Sequence, residues 1–329
     1  MNYSIEKVAT LVGACRYGNV ETNISFLLTD SRSLCFPEET LFFALKSERN
    51  DGYHYIPELY SRGVRNFVVE AIPENWDMLY PQSNFLEVSK TIEALQRLAT
   101  CHRAEFHVPV IGITGSNGKT VVKEWLYQLL SPNKVVTRSP RSYNSQIGVP
   151  LSVWLLNEQT EVGVFEAGIS ERGEMKALRE IIQPTIGVFT SLGEAHQENF
   201  ASLEEKCMEK LCLFRDTNAI VYPLDEELVV RCIKTLNYKN TILGWSKKDS
   251  NATLFVKEIK KAELTTTITY VWQQGKEASY TIPFIDDASV ENSITSAIIC
   301  LHLGVEVKTL AERMPQLEPV AMRLRSEEH

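Results

Sequence analysis

The sequence lacks any Cys-x-x-Cys pair, although it contains seven cysteines at irregular spacing. We interpret these cysteines as reduced, buried thiols of a cytosolic protein rather than as a disulfide framework or a zinc site. Long apolar runs are also missing. The mildly apolar stretch 8–15 is preceded by Glu6 and Lys7 and ends at Arg16, so it is too short for a signal core or a membrane span. We therefore predict a cytoplasmic protein without membrane insertion.

Positive charge is in short supply, because 34 Lys and Arg residues face 42 Asp and Glu residues and the formal net charge is -8. This balance argues against a nucleic-acid partner, since phosphate backbones are bound by basic surfaces. It leaves room for small anionic ligands, which need only a few local cations. The 329 residues allow two domains at the usual ~100–200 residues each.

The first predicted domain covers 1–106 and has a mixed α/β pattern. Residues 41–45 and 67–70 read as buried strands, and residues 89–105 read as a helix that ends before Pro109. From residue 108, apolar strands alternate regularly with helices. The predicted strands of this part are 110–114, 162–166, 186–190 and 219–222, and the predicted helices are 120–130, 175–182, 203–214, 226–236 and 289–303. Such alternation predicts a doubly wound, mainly parallel sheet, and the pattern of residues 252–284 predicts antiparallel strands appended to it. We place this central domain at 107–320 and the start of a linker at 321–329.

A glycine-rich loop follows the first strand of the central domain and opens a helix. Its glycines allow backbone N–H groups to converge on phosphate oxygens at a helix N-terminus. Lys119 is then expected to reach the β- and γ-phosphates of ATP, and the Thr120 hydroxyl to bind Mg²⁺. The usual pattern places a glycine where this chain has Ile113, so the loop is a short form. The alternative is an ordinary glycine turn before a helix. The predicted ATP-binding residues of the loop are Gly115, Ser116, Asn117, Gly118, Lys119 and Thr120.

Polar residues follow two other predicted strands, at the carboxyl edge where ligands bind open α/β sheets. Glu166 closes one strand and His196 follows the next, and both are candidate Mg²⁺ ligands. A lone histidine in a loop is otherwise usually a surface residue. In the following helix, Lys206 and Lys210 share one face, which is alternatively a solvated charged face. Spacing alone does not single out Lys210.

These motifs together resemble the Mur ligase family, in its MurF form, over essentially the whole chain. The segments that carry the resemblance are 30–32, 41–45 and 51–52 in the first domain, and 114–120, 144–150, 166–175 and 190–196 in the second. The amino-acid sequences of segments 142–146 and 205–211 are similar to those of Bacteroidota-type members, in which the ligase can be fused to an alanine racemase. The family carries a further C-terminal domain of ~100–150 residues. We therefore expect this chain to be part of a longer protein.

The resemblance implies roles for individual residues. Lys119, Glu166, His196 and Lys210 become candidate catalytic residues, with ATP and two Mg²⁺ ions as cofactors. Lys210 matches a lysine that the family converts to a carbamate, so that it can bind metal with Thr120, Glu166 and His196. Asn292 matches the asparagine that reads adenine, and Arg323 matches an arginine that approaches the phosphates. Ser31, Arg32 and Asn144 match residues that contact the uridine-nucleotide substrate.

The activity implied is ligation of D-alanyl-D-alanine to UDP-N-acetylmuramoyl-tripeptide in peptidoglycan precursor synthesis, through an acyl phosphate. We expect a monomer. Three alternatives stay open: a fragment that binds ATP and the UDP-precursor without ligating, another Mur-type or folylpolyglutamate-synthetase-type ligase, and a small-molecule kinase.

Overall fold

The computed structural model describes residues 3–47, 51–193 and 199–320. The elements before residue 108 are β1 (Tyr3–Ser4), α1 (Ile5–Val12), β2 (Cys15–Tyr17), β3 (Asn23–Ile24), β4 (Phe26–Leu28), β5 (Thr40–Phe43), α2 (Ile56–Ser61), β6 (Asn66–Val69), α3 (Trp76–Leu79), β7 (Asn84–Glu87) and α4 (Thr91–Ala104). The later elements are β8 (Val110–Thr114), α5 (Lys119–Leu130), β9 (Val136–Arg138), α6 (Gly148–Val153), β10 (Val162–Glu166), α7 (Glu174–Ile182), β11 (Ile186–Phe189), α8 (Leu203–Leu211), β12 (Ala219–Pro223), α9 (Glu227–Thr235), β13 (Thr241–Ser246), β14 (Leu254–Lys261), β15 (Thr266–Trp272), β16 (Glu277–Ile282), α10 (Asp287–His302) and α11 (Val307–Arg313). Within these described ranges, no helix combines the length and apolar character needed to cross a bilayer.

The chain divides into two compact units. The first contains residues up to His107 together with Gln146–Glu158, and the second contains Val108–Ser145 and the chain from Gln159 onward. Compared with the central domain predicted at 107–320, His107 and the segment Gln146–Glu158 fall in the first unit. Trp154 of this segment belongs to the same buried cluster as α1 and α4, and its indole N–H donates to the Ser25 carbonyl over 2.9 Å. Apolar burial in the first unit thus decides where the segment packs.

The first unit is built on a sheet in the order β2-β7-β6-β5-β4. Strands β4 to β7 pair in parallel, and β2 pairs with β7 in antiparallel fashion. Strands β5 and β6 are buried along their whole length, as expected for a parallel sheet that is covered on both faces. Separate apolar clusters fill the two sides of the sheet.

The second unit is built on a larger sheet in the order β16-β15-β14-β13-β12-β11-β8-β10-β9. Pairing is parallel from β9 to β14 and antiparallel from β14 to β16. The predicted mainly parallel sheet with appended antiparallel strands is confirmed. Residues of α5 and α10 share one buried cluster with the sheet. Because the chain returns across β8 to form β11, the strand order reverses between β8 and β11, and ligands bind open α/β sheets at such a point.

Candidate functional site

The loop between β8 and α5 adopts a backbone that favours glycine. Gly115 has φ +144° and Gly118 has φ +84°, and residues other than glycine rarely adopt such backbone angles. Space is also limited, since a Cβ atom on Gly115 would lie 2.1 Å from Thr190 Oγ1. The loop ends where α5 begins, so unpaired backbone N–H groups of the helix face the same region. This arrangement suits an anion and disfavours an ordinary surface turn.

The phosphate loop is tied to the segment that follows β11. The Ser116 N–H donates to the Ser191 carbonyl over 2.8 Å, and the Thr190 hydroxyl donates to the Asn117 carbonyl. Ser116 Oγ also lies 2.8 Å from the Gly193 nitrogen, which donates to it. These bonds join the loop after β8 to the segment after β11, on the two sides of the point where the strand order reverses. The conformation of the loop is therefore fixed without a ligand.

Lys119 folds back onto its own loop. Its Nζ donates to the Gly115 carbonyl over 2.9 Å and to the Ser116 carbonyl over 3.2 Å. The pKa of Lys119 lies below the usual value for lysine, mainly because the side chain is buried. The Lys206 ammonium adds to this lowering, and the Glu166 carboxylate opposes it. A phosphate group could replace the two carbonyls as the acceptor for this ammonium.

Glu166 ends β10 and is completely buried. Its Oε2 accepts a hydrogen bond from the Thr120 hydroxyl over 3.1 Å. Its Oε1 lies 3.0 Å from Lys123 Nζ, but the alignment is poor and Oε1 accepts no hydrogen bond from the described part of the chain. A buried carboxylate oxygen without a hydrogen bond, next to a threonine hydroxyl, fits a hard divalent cation.

Lys206 and Lys210 of α8 both point into the protein. Their exposed fractions are 2% and 3%, which excludes a solvated charged face. Lys206 Nζ donates to the Gly193 carbonyl over 2.6 Å, and Lys210 Nζ donates to the Gly115 carbonyl over 3.2 Å. The pKa of Lys210 is lowered to about 7, mainly by burial and in smaller part by the neighbouring ammonium groups of Lys119 and Lys206. The structure thus brings Lys119 and Lys210 to the phosphate loop and Lys206 to the neighbouring segment after β11.

A cavity of about 270 Å³ opens in front of the phosphate loop. Its lining includes Lys119, Lys210, Asn144 and Gly168. The Gly168 N–H donates to the Asn144 carbonyl over 2.8 Å, which fixes the segment carrying Asn144 to the end of β10. A larger cavity of about 470 Å³ lies among α7, α9 and β12 and contains none of the predicted site residues. Proximity to the loop, rather than size, makes the smaller cavity the candidate site.

The remaining predicted residues fall into three groups. Asn292 of α10 packs against the phosphate loop, because a Cβ atom on Gly118 would lie 2.4 Å from its Oδ1. Ser31 and Arg32 belong to the first unit, where the Arg32 side chain is 87% exposed and pairs with Asp30. His196 and Arg323 lie outside the described residues. Among the described residues, no three His, Cys, Asp or Glu side chains form a metal-binding cluster.

Two buried lysines were not identified as site residues from the sequence. Lys123 contacts Glu166, and Lys206 contacts the segment after β11. Each stands four positions from a predicted site lysine on the same helix, so each pair shares a helix face. That spacing was the available signal, but a solvated face produces it equally well.

Comparison with known proteins places this architecture in a family. A model described as "Mur ligase middle domain" matches residues 113–300, more than half of the chain. The chain belongs to the Mur ligase family. It is 28% identical over 311 residues to the UDP-N-acetylmuramoyl-tripeptide--D-alanyl-D-alanine ligase of Bacillus subtilis, covering 92% of this chain and 64% of that protein. The chain thus spans about two thirds of the length of this relative.

Solved structures of the family share the fold. MurF from Acinetobacter baumannii has a TM-score of 0.87 at 22% identity, covering 97% of this chain and 69% of that one. The MurF ligase of Thermotoga maritima, solved in complex with ADP, has a TM-score of 0.76 at 24% identity and covers 90% of this chain and 66% of that one. An FPGS mutant from L. casei has a TM-score of 0.53 at 15% identity and covers 68% of this chain and 66% of that one. The likeness to the MurF structures therefore extends over more of the chain.

Proposed function

We propose that this chain provides the ATP-binding and UDP-precursor-binding parts of a ligase that adds D-alanyl-D-alanine to UDP-N-acetylmuramoyl-tripeptide. The observation that carries the proposal is the convergence of Lys119, Glu166 and Lys210 on a short phosphate loop. The name of the Bacillus subtilis relative supports the choice of substrates. Ser31, Arg32 and Asn144 are proposed to contact the UDP-precursor, and Asn292 and Arg323 to contact ATP.

The proposed chemistry has two steps. The terminal carboxylate of the tripeptide attacks the γ-phosphorus of ATP, the bond to the bridging oxygen breaks, and ADP leaves. The amine of D-alanyl-D-alanine then attacks the acyl carbon, gives up a proton, and inorganic phosphate leaves. Lys119 exchanges its carbonyl partners for phosphoryl oxygens and neutralises the charge that spreads over them. Activation by ATP is needed because a carboxylate is a poor acyl donor at neutral pH.

Two Mg²⁺ ions are part of the proposal. Thr120 and Glu166 fit one site, and His196 with a carbamylated Lys210 would hold a second. Bound Mg²⁺ supplies further positive charge to the phosphates. The carbamate is supported by the lowered pKa of Lys210, because only the neutral amine reacts with CO₂.

Replacing Lys119 with Ala tests the nucleotide site. We expect ATP affinity measured by calorimetry to fall roughly 10- to 100-fold, since a hydrogen bond to a charged group contributes about 1.5–3 kcal/mol. Lys308→Ala on α11, where the lysine is exposed, is the matched control and should bind ATP normally. Equal ATP affinity in the two variants would remove Lys119 from the site.

A product assay tests the activity. Ligation predicts that phosphate is released only when ATP, the UDP-precursor and D-alanyl-D-alanine are all present. Release of a phosphorylated small molecule would instead indicate a kinase, and failure to bind a uridine nucleotide would favour a folylpolyglutamate-synthetase type. Because the chain spans 64% of the Bacillus subtilis relative, binding of both nucleotides without an amide product would favour the fragment that only binds.

A further inference from the structure

Lys123 stands one helical turn after Lys119 and is fully buried, with a side-chain exposure of 0%. Its Nζ lies 3.0 Å from Glu166 Oε1 and 3.0 Å from Glu124 Oε1. The same ammonium donates to the Arg141 carbonyl. One lysine therefore contacts three groups from three parts of the second unit: the end of β10, helix α5 and the segment after β9.

The first contact places a lysine ammonium beside the buried Glu166 carboxylate. A fully buried carboxylate is costly unless its charge is compensated. Thr120 donates to Oε2, and Lys123 faces Oε1 as a fixed positive charge without an aligned hydrogen bond. The carboxylate thus lies between two residues of α5, and Oε1 can still bind a cation.

The hydrogen bond to Arg141 connects Lys123 with the neighbouring turn. Arg141 has φ +49°, a left-handed backbone that residues other than glycine rarely adopt. The turn also contacts the site through Ser142, whose Oγ lies 3.3 Å from Thr120 Oγ1. Farther along, the Asn144 carbonyl accepts from Gly168. Lys123 thus links the metal-facing carboxylate to the segment that carries Asn144.

We propose that Lys123 is a positioning residue that orients Glu166 for a divalent cation at the phosphate loop and anchors the Arg141 turn beside it. This inference rests on the proposed function, because it deepens the account of the same site. Lys123 acts through Glu166 and does not itself contact the nucleotide or the substrate. Groups that orient metal ligands commonly change metal affinity 10- to 100-fold when they are removed.

The test is Mn²⁺ binding followed by electron paramagnetic resonance at saturating ADP, which avoids turnover. Lys123→Met keeps the apolar stem and removes the charge and the donors. We expect it to weaken Mn²⁺ binding about 10- to 100-fold, while ADP affinity without metal stays at the wild-type level. Arg138→Gln is the matched control, because Arg138 pairs with the other oxygen of Glu124 over 3.0 Å and does not contact Glu166. This control should bind Mn²⁺ normally.

A double-mutant cycle separates positioning from general damage. If Lys123 acts through Glu166, Lys123→Met should add no further loss of Mn²⁺ affinity in a Glu166→Gln background. The milder Lys123→Gln is measured in the same way, so that the result does not depend on the folding of one variant. Unchanged or tighter Mn²⁺ binding in the Lys123 variants, or fully additive losses, would overturn the inference while leaving the proposed function intact. Wild-type protein that binds no ADP would overturn both.

Discussion

At the scale of single residues, Gly115 is the most constrained position of the phosphate loop. Its φ is +144°, and the Thr190 hydroxyl occupies the place where a methyl group would lie. Gly304, between α10 and α11, also has a positive φ of +85°, but apart from its chain neighbours no atom of the described residues lies within 4 Å of the position that a Cβ would take. An alanine at Gly304 would therefore introduce backbone strain alone, whereas an alanine at Gly115 would introduce both backbone strain and steric overlap.

Gly304→Ala should cost about 1–2 kcal/mol of stability, the usual strain of a left-handed residue. Gly115→Ala should cost more than that, because the overlap with Thr190 adds to the strain, and it should also abolish ADP binding. Chemical denaturation and calorimetry measure the two effects. Normal ADP binding by Gly115→Ala would show that the loop accommodates a side chain at this position and would contradict the prediction.

Lys210 provides a second prediction at this scale. An ordinary lysine is almost fully protonated near neutral pH, whereas a pKa of about 7 leaves a substantial fraction as free amine. Carbamate formation should therefore increase as pH rises from below 7 to above it. Carbon-13 NMR with labelled CO₂ should detect the carbamate in the wild type and lose it in Lys210→Ala. A signal that persists in Lys210→Ala would assign the carbamate to another amine.

At the scale of elements, residues 146–158 are fastened to α4 through His102. His102 Nδ1 lies 3.0 Å from the Tyr3 hydroxyl, and Nε2 lies 3.0 Å from the Leu156 carbonyl. A neutral imidazole satisfies both contacts by accepting at Nδ1 and donating at Nε2. Burial lowers the pKa of His102 to about 4, against the opposing effect of its bond to Leu156.

This depressed pKa predicts acid sensitivity. Between pH 4 and 6.5 the unfolded chain protonates this histidine and the folded chain does not, so stability rises with pH across that window. The stabilising contribution is fully present above about pH 6.5 and is lost as the pH falls toward 4. It amounts to about 3 kcal/mol, because a pKa difference of one between the folded and the unfolded state corresponds to about 1.36 kcal/mol. His102→Gln should flatten this part of the stability profile. His54→Gln, at an exposed histidine of the same unit, should not, and an unchanged profile in His102→Gln would contradict the assignment.

At the scale of the whole molecule, the described candidate residues for ATP phosphates all lie in the second unit. A ligand that binds only the folded form stabilises it by about 2.7 kcal/mol at about 100 times its Kd. Mg²⁺ and ADP should therefore slow amide hydrogen exchange in α5 and β10 and leave exchange in α1 and α4 unchanged. Equal protection of both units would contradict a nucleotide site confined to the second one.

Mass in solution gives a further check at this scale. The predicted monomer has a mass of 37.3 kDa, which sedimentation equilibrium measures directly. Exposed large apolar side chains are distributed over several elements, for example Met78, Leu264 and Ile285, and single exposed residues of this kind are normal for a monomer. A mass of twice this value would contradict the prediction.

Local patterns determined much of this protein. The strand and helix around the phosphate loop, the mainly parallel sheet and the antiparallel addition follow from apolar periodicity and glycine placement, which act over short distances along the chain. The positions of Gly115, Gly118, Lys119, Thr120 and Glu166 follow for the same reason, because they stand at the ends of predicted strands or the start of a helix.

Only the tertiary structure decided which distant residues meet. The contact of Lys123 with Glu166, that of Lys206 with Gly193, and the packing of residues 146–158 in the first unit join segments far apart in the chain. Helical spacing gives the face of the helix on which a lysine lies. Whether that face is exposed to solvent or packs against a carboxylate depends on the order of the strands in the sheet. The sequence alone thus predicted a phosphate loop, and the fold determined which buried charges surround it.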